Sequence, residues 1–457
     1  MSDRNTKGSN LPRRDLTPTD FPVDDLKPLG REVRRHPKAQ ITKLARNLTE
    51  FGFVLPILVD QQNRVVAGSA LVHAAKSLLM RHVPVITVTD LNESQLRALR
   101  ISLNRLAEDA DWIPTELRLE FEEICALDSG IDLTSTGFEM GGIDFYLHTE
   151  PVNDEPPIEP PDRSRPSITQ LGDLWRLGPH RLLCGNALED QSYHALLGTV
   201  RVRCVNTDLP YNLKLKGNVT GKGHVVHGEF AMASGEMDPP AFIAFLRTVF
   251  GHMTAHSTDG ALHYLFMDWR HLLQLMTAAQ DIYSELKNLC VWNKTNAGMG
   301  SFYRSKHELI AIYKFGSAPH INNIELGRFG RNRTNVWDYA GVNTFRPGRM
   351  EDLHAHPTVK PLQLVADAIL DATHRGDAVL DPFVGSGTTL LACEQVGRVG
   401  YAMELDPHYV DVAVRRWQDA TGQVAELEQT RESFAGVTER RTSRSPDLAT
   451  QEGSEHA

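Results

Sequence analysis

Apolar positions along this chain follow two periods in turn. Between Gln40 and Leu48 they recur at helical spacing (Ile41, Leu44, Ala45, Leu48), and Gly52 closes the predicted helix. Short apolar runs then take over: residues 54–59 read as a strand, 60–63 as a turn and 64–67 as the hairpin partner. Gly68 leads a helix through Leu79, residues 83–88 form a further strand, and helices follow at 93–106 and 114–127. From Leu171 the two patterns alternate. Residues 171–175 and 180–184 open as a hairpin. Strands are then predicted at 200–205, 260–266, 289–292, 308–313, 378–380 and 399–403, with helices at 241–252, at 362–372 and from about Thr388. Such alternation predicts an α/β class with a mainly parallel sheet covered on both faces.

Polar stretches divide the chain. Residues 1–20 lack apolar periodicity and are expected to be disordered. Residues 151–168 are rich in Pro and acid, a semi-extended spacer. Residues 421–457 carry few large apolar side chains and are expected to form a flexible tail. Two folded domains remain, 21–150 and 169–420. No apolar run approaches the roughly 18 residues of a membrane span. The N-terminus is polar, so a cytoplasmic location is expected.

Composition is ordinary for a globular protein, at 41% hydrophobic and 23% charged residues, so the informative features are local. The five cysteines are scattered, with no zinc-like spacing; they read as small buried hydrophobes, and no metal is implied. A net charge of −10 argues at first against nucleic acid. Residues 291–350, however, hold nine Lys and Arg against three Asp and Glu, a candidate phosphate-binding face. Within it, the segment from Arg328 to Arg349 interleaves Phe329, Trp337, Tyr339 and Phe345 with arginines, a pattern suited to reading a target. Residues 212–237, with five glycines, three lysines and little periodicity, suit a lid closing over DNA.

Two loop motifs carry the chemistry. The strand at 378–380 runs into Asp381-Pro-Phe383-Val-Gly385-Ser-Gly387-Thr388, where glycines allow a tight turn and close approach of a ligand to the backbone. The next strand ends in Glu404, nineteen residues after Gly385, where a carboxylate can take both hydroxyls of a ribose. Upstream, Asp208-Leu209-Pro210-Tyr211 follows another apolar strand and would close a second site at the same sheet edge.

Together these motifs resemble the signatures of DNA methyltransferases that modify exocyclic amino groups, in the order of the β class. The resemblance implies a Rossmann-like methyltransferase sheet using S-adenosyl-L-methionine, and double-stranded DNA as substrate. Catalysis falls to Asp208, Leu209, Pro210 and Tyr211: the carboxylate and the Leu209 carbonyl draw out the lone pair of the amine, and Tyr211 stacks on a base flipped from the duplex. The family's commonest form has Pro where this chain has Leu209, a change that keeps the backbone carbonyl. Cofactor contacts fall to Asp381, Phe383, Gly385, Gly387, Thr388 and Glu404. His356-Pro-Thr358-Val-Lys360-Pro361 resembles a further motif of the family and assigns Thr358 and Lys360 to the methionine end. Asn186 stands where many relatives have Asp and is a further candidate contact. An Asp at the head of the catalytic motif resembles adenine-N6 enzymes more than cytosine-N4 ones. Cytosine N4 or an RNA base is the alternative within the chemistry; a DNA-binding adaptor with an inactive methylase half is the alternative outside it.

The helix, strand, hairpin, Gly-led helix and Val-Pro-Val strand of residues 21–110 resemble the smaller α+β N-terminal domain of ParB/sulfiredoxin-like proteins. Where that family carries phosphate-binding arginines this chain has Gly68-Ser-Ala-Leu71. Weak or no nucleotide binding is therefore expected there, with a docking or DNA-contact role. A restriction or partition partner and a dimer are further expectations.

Overall fold

The computed structural model describes residues 16–106, 112–127, 131–147, 161–212, 237–295, 302–324, 333–340 and 360–443. The chain divides after Leu147 into two compact units.

The first unit contains β1 (Thr19–Pro22), β2 (Lys27–Pro28), α1 (Lys38–Phe51), β3 (Ile57–Asp60), β4 (Arg64–Ala67), α2 (Ser69–Ser77), β5 (His82–Val88), α3 (Glu93–Arg105), α4 (Pro114–Leu127) and α5 (Met140–Leu147). Its sheet has the order β1-β5-β3-β4-β2. The predicted hairpin is present, and Asp60 holds its turn. One Asp60 oxygen accepts from the N–H groups of Gln62 and Arg64, the other from Arg64 Nε. The strand expected from Val54 begins only at Ile57: Val54 and Leu55 are 72% and 74% exposed, and Pro56 lacks the N–H that pairing requires.

The second unit contains β6 (Leu174–Leu177), β7 (His180–Cys184), α6 (Asp190–Leu197), β8 (Val202–Asp208), α7 (Pro239–Ala255), β9 (Ser257–Met267), α8 (Leu272–Ala279), β10 (Glu285–Asn293), β11 (His307–Lys314), β12 (Val336–Asp338), α9 (Leu362–Ala372), β13 (Ala378–Asp381), α10 (Thr388–Val396), β14 (Val399–Glu404), α11 (Pro407–Thr421), β15 (Glu426–Leu427) and α12 (Phe434–Ser443). The ten strands form one sheet in the order β12-β10-β11-β9-β8-β13-β14-β7-β6-β15. Five consecutive strands, β9, β8, β13, β14 and β7, are mutually parallel. β6 and β11 run against them. β6 must do so, because only Gly178 and Pro179 separate it from β7, too short a link for a crossover.

Successive residues of the central strands face opposite layers, as a pleated sheet requires. Cys204, Val379 and Ala402 join α9, α10 and α11 on one face. Val205, Leu380 and Met403 join α6, α7 and α8 on the other. Each such side chain contributes about 1.5–3 kcal/mol when fully buried. The inner strands are therefore the buried centre of this unit.

Several boundaries differ from expectation. β8 starts two residues late, at Val202, and continues to Asp208, because parallel pairing with β9 extends it to the sheet edge. The folded unit begins by Ile168, inside the expected spacer: the Ile168 and Thr169 N–H groups donate to the two oxygens of buried Asp411. Residues 151–160 lie outside the described residues. The expected tail from 421 is folded as far as Ser443. β15 pairs with β6, the Phe434 ring packs 5.2 Å from Trp175, and Arg441 donates to Asp173 at 3.0 Å. Its apolar contribution is small and widely spaced (Ala425, Leu427, Phe434, Val437), which is why the pattern escapes a window reading. At the other end, β1 begins at Thr19, slightly before the expected start of order.

Candidate active site

The parallel strands all end at one edge, and three acidic side chains mark it: Asp208 on β8, Asp381 on β13 and Glu404 on β14. β13 is central, paired through Leu380 with Val205 of β8 and through Asp381 with Ala402 of β14. The chain leaving β13 thus emerges between Asp208 and Glu404, where the sheet order switches direction and ligands of open α/β sheets bind.

Two glycines shape that exit, for different reasons. Gly385 (φ +53°) faces open space, so the backbone there can be approached closely. Gly387 (φ +90°) caps α10, and a Cβ on it would lie 2.9 Å from the Ala413 Cβ of α11. Gly385 keeps the rim open; Gly387 lets two helices close. Glu404 fixes the turn by accepting from the Gly385 N–H at 3.0 Å and, through its other oxygen, from the Asp406 N–H at 2.9 Å. Burial pushes its carboxyl up to about 7. Asp381 accepts from the hydroxyls of Thr207 (2.7 Å) and Thr389 (2.6 Å) and from the Phe383 N–H, bracing β8 against α10. Burial pushes it up to about 6.

Asp208 sits in a second, charged cluster. Its Oδ2 accepts from Lys360 Nζ, which also lies 3.1 Å from Glu308 Oε2 on β11 and donates to the Tyr211 hydroxyl at 3.2 Å. Tyr211 in turn donates to Glu308 at 3.0 Å, and Lys294 pairs with the other Glu308 oxygen. The Lys360 ammonium lies 5.4 Å from the Phe266 ring centre and 5.5 Å from that of Tyr211, an aromatic wall suited to a buried cation. Burial would raise Glu308, but the Lys360 and Lys294 ammoniums outweigh it and hold the carboxyl down to about 2. Burial raises Asp208, opposed by Lys360 and reinforced by the Glu308 charge. Asp208 Oδ1 is buried and finds no hydrogen-bond donor among the described residues. A buried acceptor without a partner is costly, and a bound N–H would satisfy it.

A family model described as DNA methylase matches residues 202–415, a span that takes in both loops. The chain is 26% identical over 250 residues to the type II methyltransferase M.HpaI of Haemophilus parainfluenzae, covering 52% of this chain and 73% of that one. Over 74 residues it is 34% identical to the ParB-like nuclease domain-containing protein YnaK of Escherichia coli, covering 16% of this chain and 85% of the other. A solved DNA modification methylase of Thermus thermophilus complexed with S-adenosyl-L-methionine is 20% identical, with 54% and 96% of the two chains covered and a TM-score of 0.39. Residues 202–415 thus match the N-4/N-6 DNA methylase family model, and the chain also carries a ParB-like domain.

The residues at the β13 turn fit S-adenosyl-L-methionine, the expected cofactor. The open face at Gly385 and the Glu404 carboxylate beside it suit a ribose, and Phe383 is partly buried at the same rim. The other expected contacts are used differently. Lys360 is paired with Asp208 and Glu308, two protein carboxylates. The Thr388 hydroxyl accepts from buried Arg416 at 3.0 Å, within the packing of α10 against α11. Asn186 folds its own turn, its oxygen accepting from the Leu188 N–H and its amide donating to Glu189. Leu209 is buried, whereas Pro210 and Tyr211 are partly so. Thr358 and residues 213–236 of the lid expected at 212–237 lie outside the described residues.

The basic, aromatic segment after Arg328 also departs from expectation where it is described. Trp337 is buried, Tyr339 packs against the core, and Arg333 pairs with Asp371 (2.9 Å) and Asp367 (3.2 Å), so residues 333–339 are scaffold. Sequence reading missed Glu308 as a site residue. A carboxylate opening an otherwise apolar run, Leu309 to Tyr313, was the available signal, because such a buried charge requires partners. In the ParB-like domain, Gly68 to Leu71 line a cavity of about 970 Å³ that Arg31, Arg34 and Arg100 also border, so basic groups reach it from outside the Gly-led helix.

Proposed function

We propose that this protein transfers a methyl group from S-adenosyl-L-methionine to an exocyclic amino group of a flipped DNA base, with adenine N6 preferred over cytosine N4. The observation carrying the proposal is the buried Asp208 Oδ1 at the end of β8, which has no hydrogen-bond donor among the described residues and lies one strand from the open Gly385 turn on β13. The bound cofactor supplies an electrophilic methyl. Glu404 takes the ribose hydroxyls, and the Gly385 backbone allows the approach. Asp208 Oδ1 and the Leu209 carbonyl accept the two N–H bonds of the amine, which pulls its lone pair out of conjugation with the ring. Positive charge then grows on nitrogen against a fixed carboxylate, in a site where such a charge is stabilised far more than in water. Lys360 holds Oδ2, and so aims Oδ1 at the amine. Asp208, raised by burial, is placed to take the proton the nitrogen releases. Tyr211 offers a stacking face for the flipped base, worth roughly 1–3 kcal/mol. An Asp at the motif head favours adenine. The ParB-like domain serves as a DNA contact.

The test is transfer of labelled methyl groups to DNA by the full chain, followed by nucleoside analysis of the product. Label in N6-methyladenine supports the reading, and label in N4-methylcytosine replaces the preferred acceptor. No transfer to any DNA by a protein that still binds the cofactor leaves a DNA-binding adaptor.

A further inference from the structure

We infer that α6 and the C-terminal end of α7 form a binding site for a divalent transition-metal ion of the zinc type, made by Asp190, His194 and His256. Asp190 and His194 are four residues apart on α6, so both face one side of that helix. His256 caps α7, and its carbonyl accepts from the Val202 N–H where β8 begins. The cluster therefore lies at the start of β8, seven residues of strand away from Asp208.

One ligand atom from each residue lies within 4.8 Å of the other two. His194 Nε2 is 3.2 Å from Asp190 Oδ2, and His256 Nε2 is 3.7 Å from Asp190 Oδ1. Ligands held at about 2.0–2.2 Å in a tetrahedron stand about 3.4 Å apart, so small side-chain adjustments would bring the three donors onto one ion. The same 3.7 Å is too long for a hydrogen bond. His256 is 3% exposed, and its other nitrogen, Nδ1, is buried with no partner among the described residues. Of the two ring nitrogens it is Nε2 that faces Asp190, at a distance a shared ion would span.

The surroundings position the ligands. The Tyr193 ring stacks on His256 at 5.6 Å and fixes its plane. His252, one turn earlier on α7, bonds the Leu188 carbonyl through Nε2 and brings its Nδ1 to 3.5 Å from Asp190 Oδ1. Two nitrogens and a carboxylate select zinc, cobalt, nickel or copper over magnesium or calcium. The ion would tie α6 to α7 across the entry of β8.

The experiment uses the full, tag-free, chelator-treated protein. Zinc chloride is titrated calorimetrically, thermal unfolding is followed alongside, and cobalt(II) serves as a visible-absorption probe. The expected result is one zinc per chain with a Kd in the micromolar range or tighter, a raised Tm and a tetrahedral cobalt spectrum. Asp190→Asn and His194→Ala, both at exposed side chains, should keep the fold and weaken binding by roughly ten-fold or more. His82→Ala, in the other unit, should leave it unchanged. Absence of stoichiometric binding, or binding that survives both cluster substitutions, would overturn the site. Methyl transfer is not the readout, so the outcome is independent of the proposed activity.

Discussion

The Lys360 ammonium lies 3.1 Å from a Glu308 carboxylate oxygen, with both side chains buried. The same ammonium holds Asp208, so one lysine joins the chain before α9 to the ends of β8 and β11. The candidate catalytic carboxylate is thus positioned by a group 152 residues away in sequence.

Replacing Asp208 separates chemistry from binding. Asp208→Ala should lower methyl transfer by roughly a hundred-fold or more, the scale of losing one preorganised charge partner of a transition state. Cofactor affinity measured by calorimetry should stay within a few-fold. A variant with full activity would remove Asp208 from the mechanism.

Glu308→Ala leaves Lys360 and Lys294 short of a counter-charge in a buried place. A stability loss of about 3–5 kcal/mol is expected from denaturant unfolding. The native carboxyl is held down to about 2 from an ordinary 4.5, so its contribution is fully present above pH 4.5 and is lost as pH falls toward 2. The variant should show a flatter stability profile over that acid range.

Glu404 titrates near neutrality in the unliganded protein, pushed up to about 7 by burial. On the proposed reading, ribose hydroxyls donate to its ionised form, so cofactor affinity should rise as pH climbs through 7 and then level off. Glu404→Gln should bind more weakly and lose that slope. Folding stability moves the other way: the raised pKa gives a contribution present below the ordinary 4.5 and lost as pH rises through 7. Calorimetric titrations across the window, with parallel unfolding curves, check both signs.

The two glycines should fail differently. Gly387→Ala places a Cβ 2.9 Å from that of Ala413 at φ +90°, and should lower stability by about 2 kcal/mol or more. Gly385→Ala meets open space, so strain alone should cost about 1 kcal/mol. Its cofactor affinity should nevertheless drop at least ten-fold. Unfolding and binding measurements on the pair distinguish a packing glycine from a rim glycine; equal effects on both would remove the distinction.

The sequence alone determined the local elements at the site. An apolar run ending in Asp381 and two glycines makes a strand, turn and helix wherever it is placed, and Asp208 to Tyr211 likewise closes β8. It also determined that Glu404 stands one strand on from the turn, because β13, α10 and β14 are consecutive. Pairings between residues far apart in the chain were decided only by the tertiary structure. That Lys360 turns to Asp208 and Glu308, that Thr388 serves Arg416, and that Arg333 pairs with Asp371 are outcomes of packing. So is the placing of residues 426–443 along β6. The physical reason is that periodicity reports which face of an element is buried, whereas a buried charge takes whichever counter-charge the sheet order brings within reach.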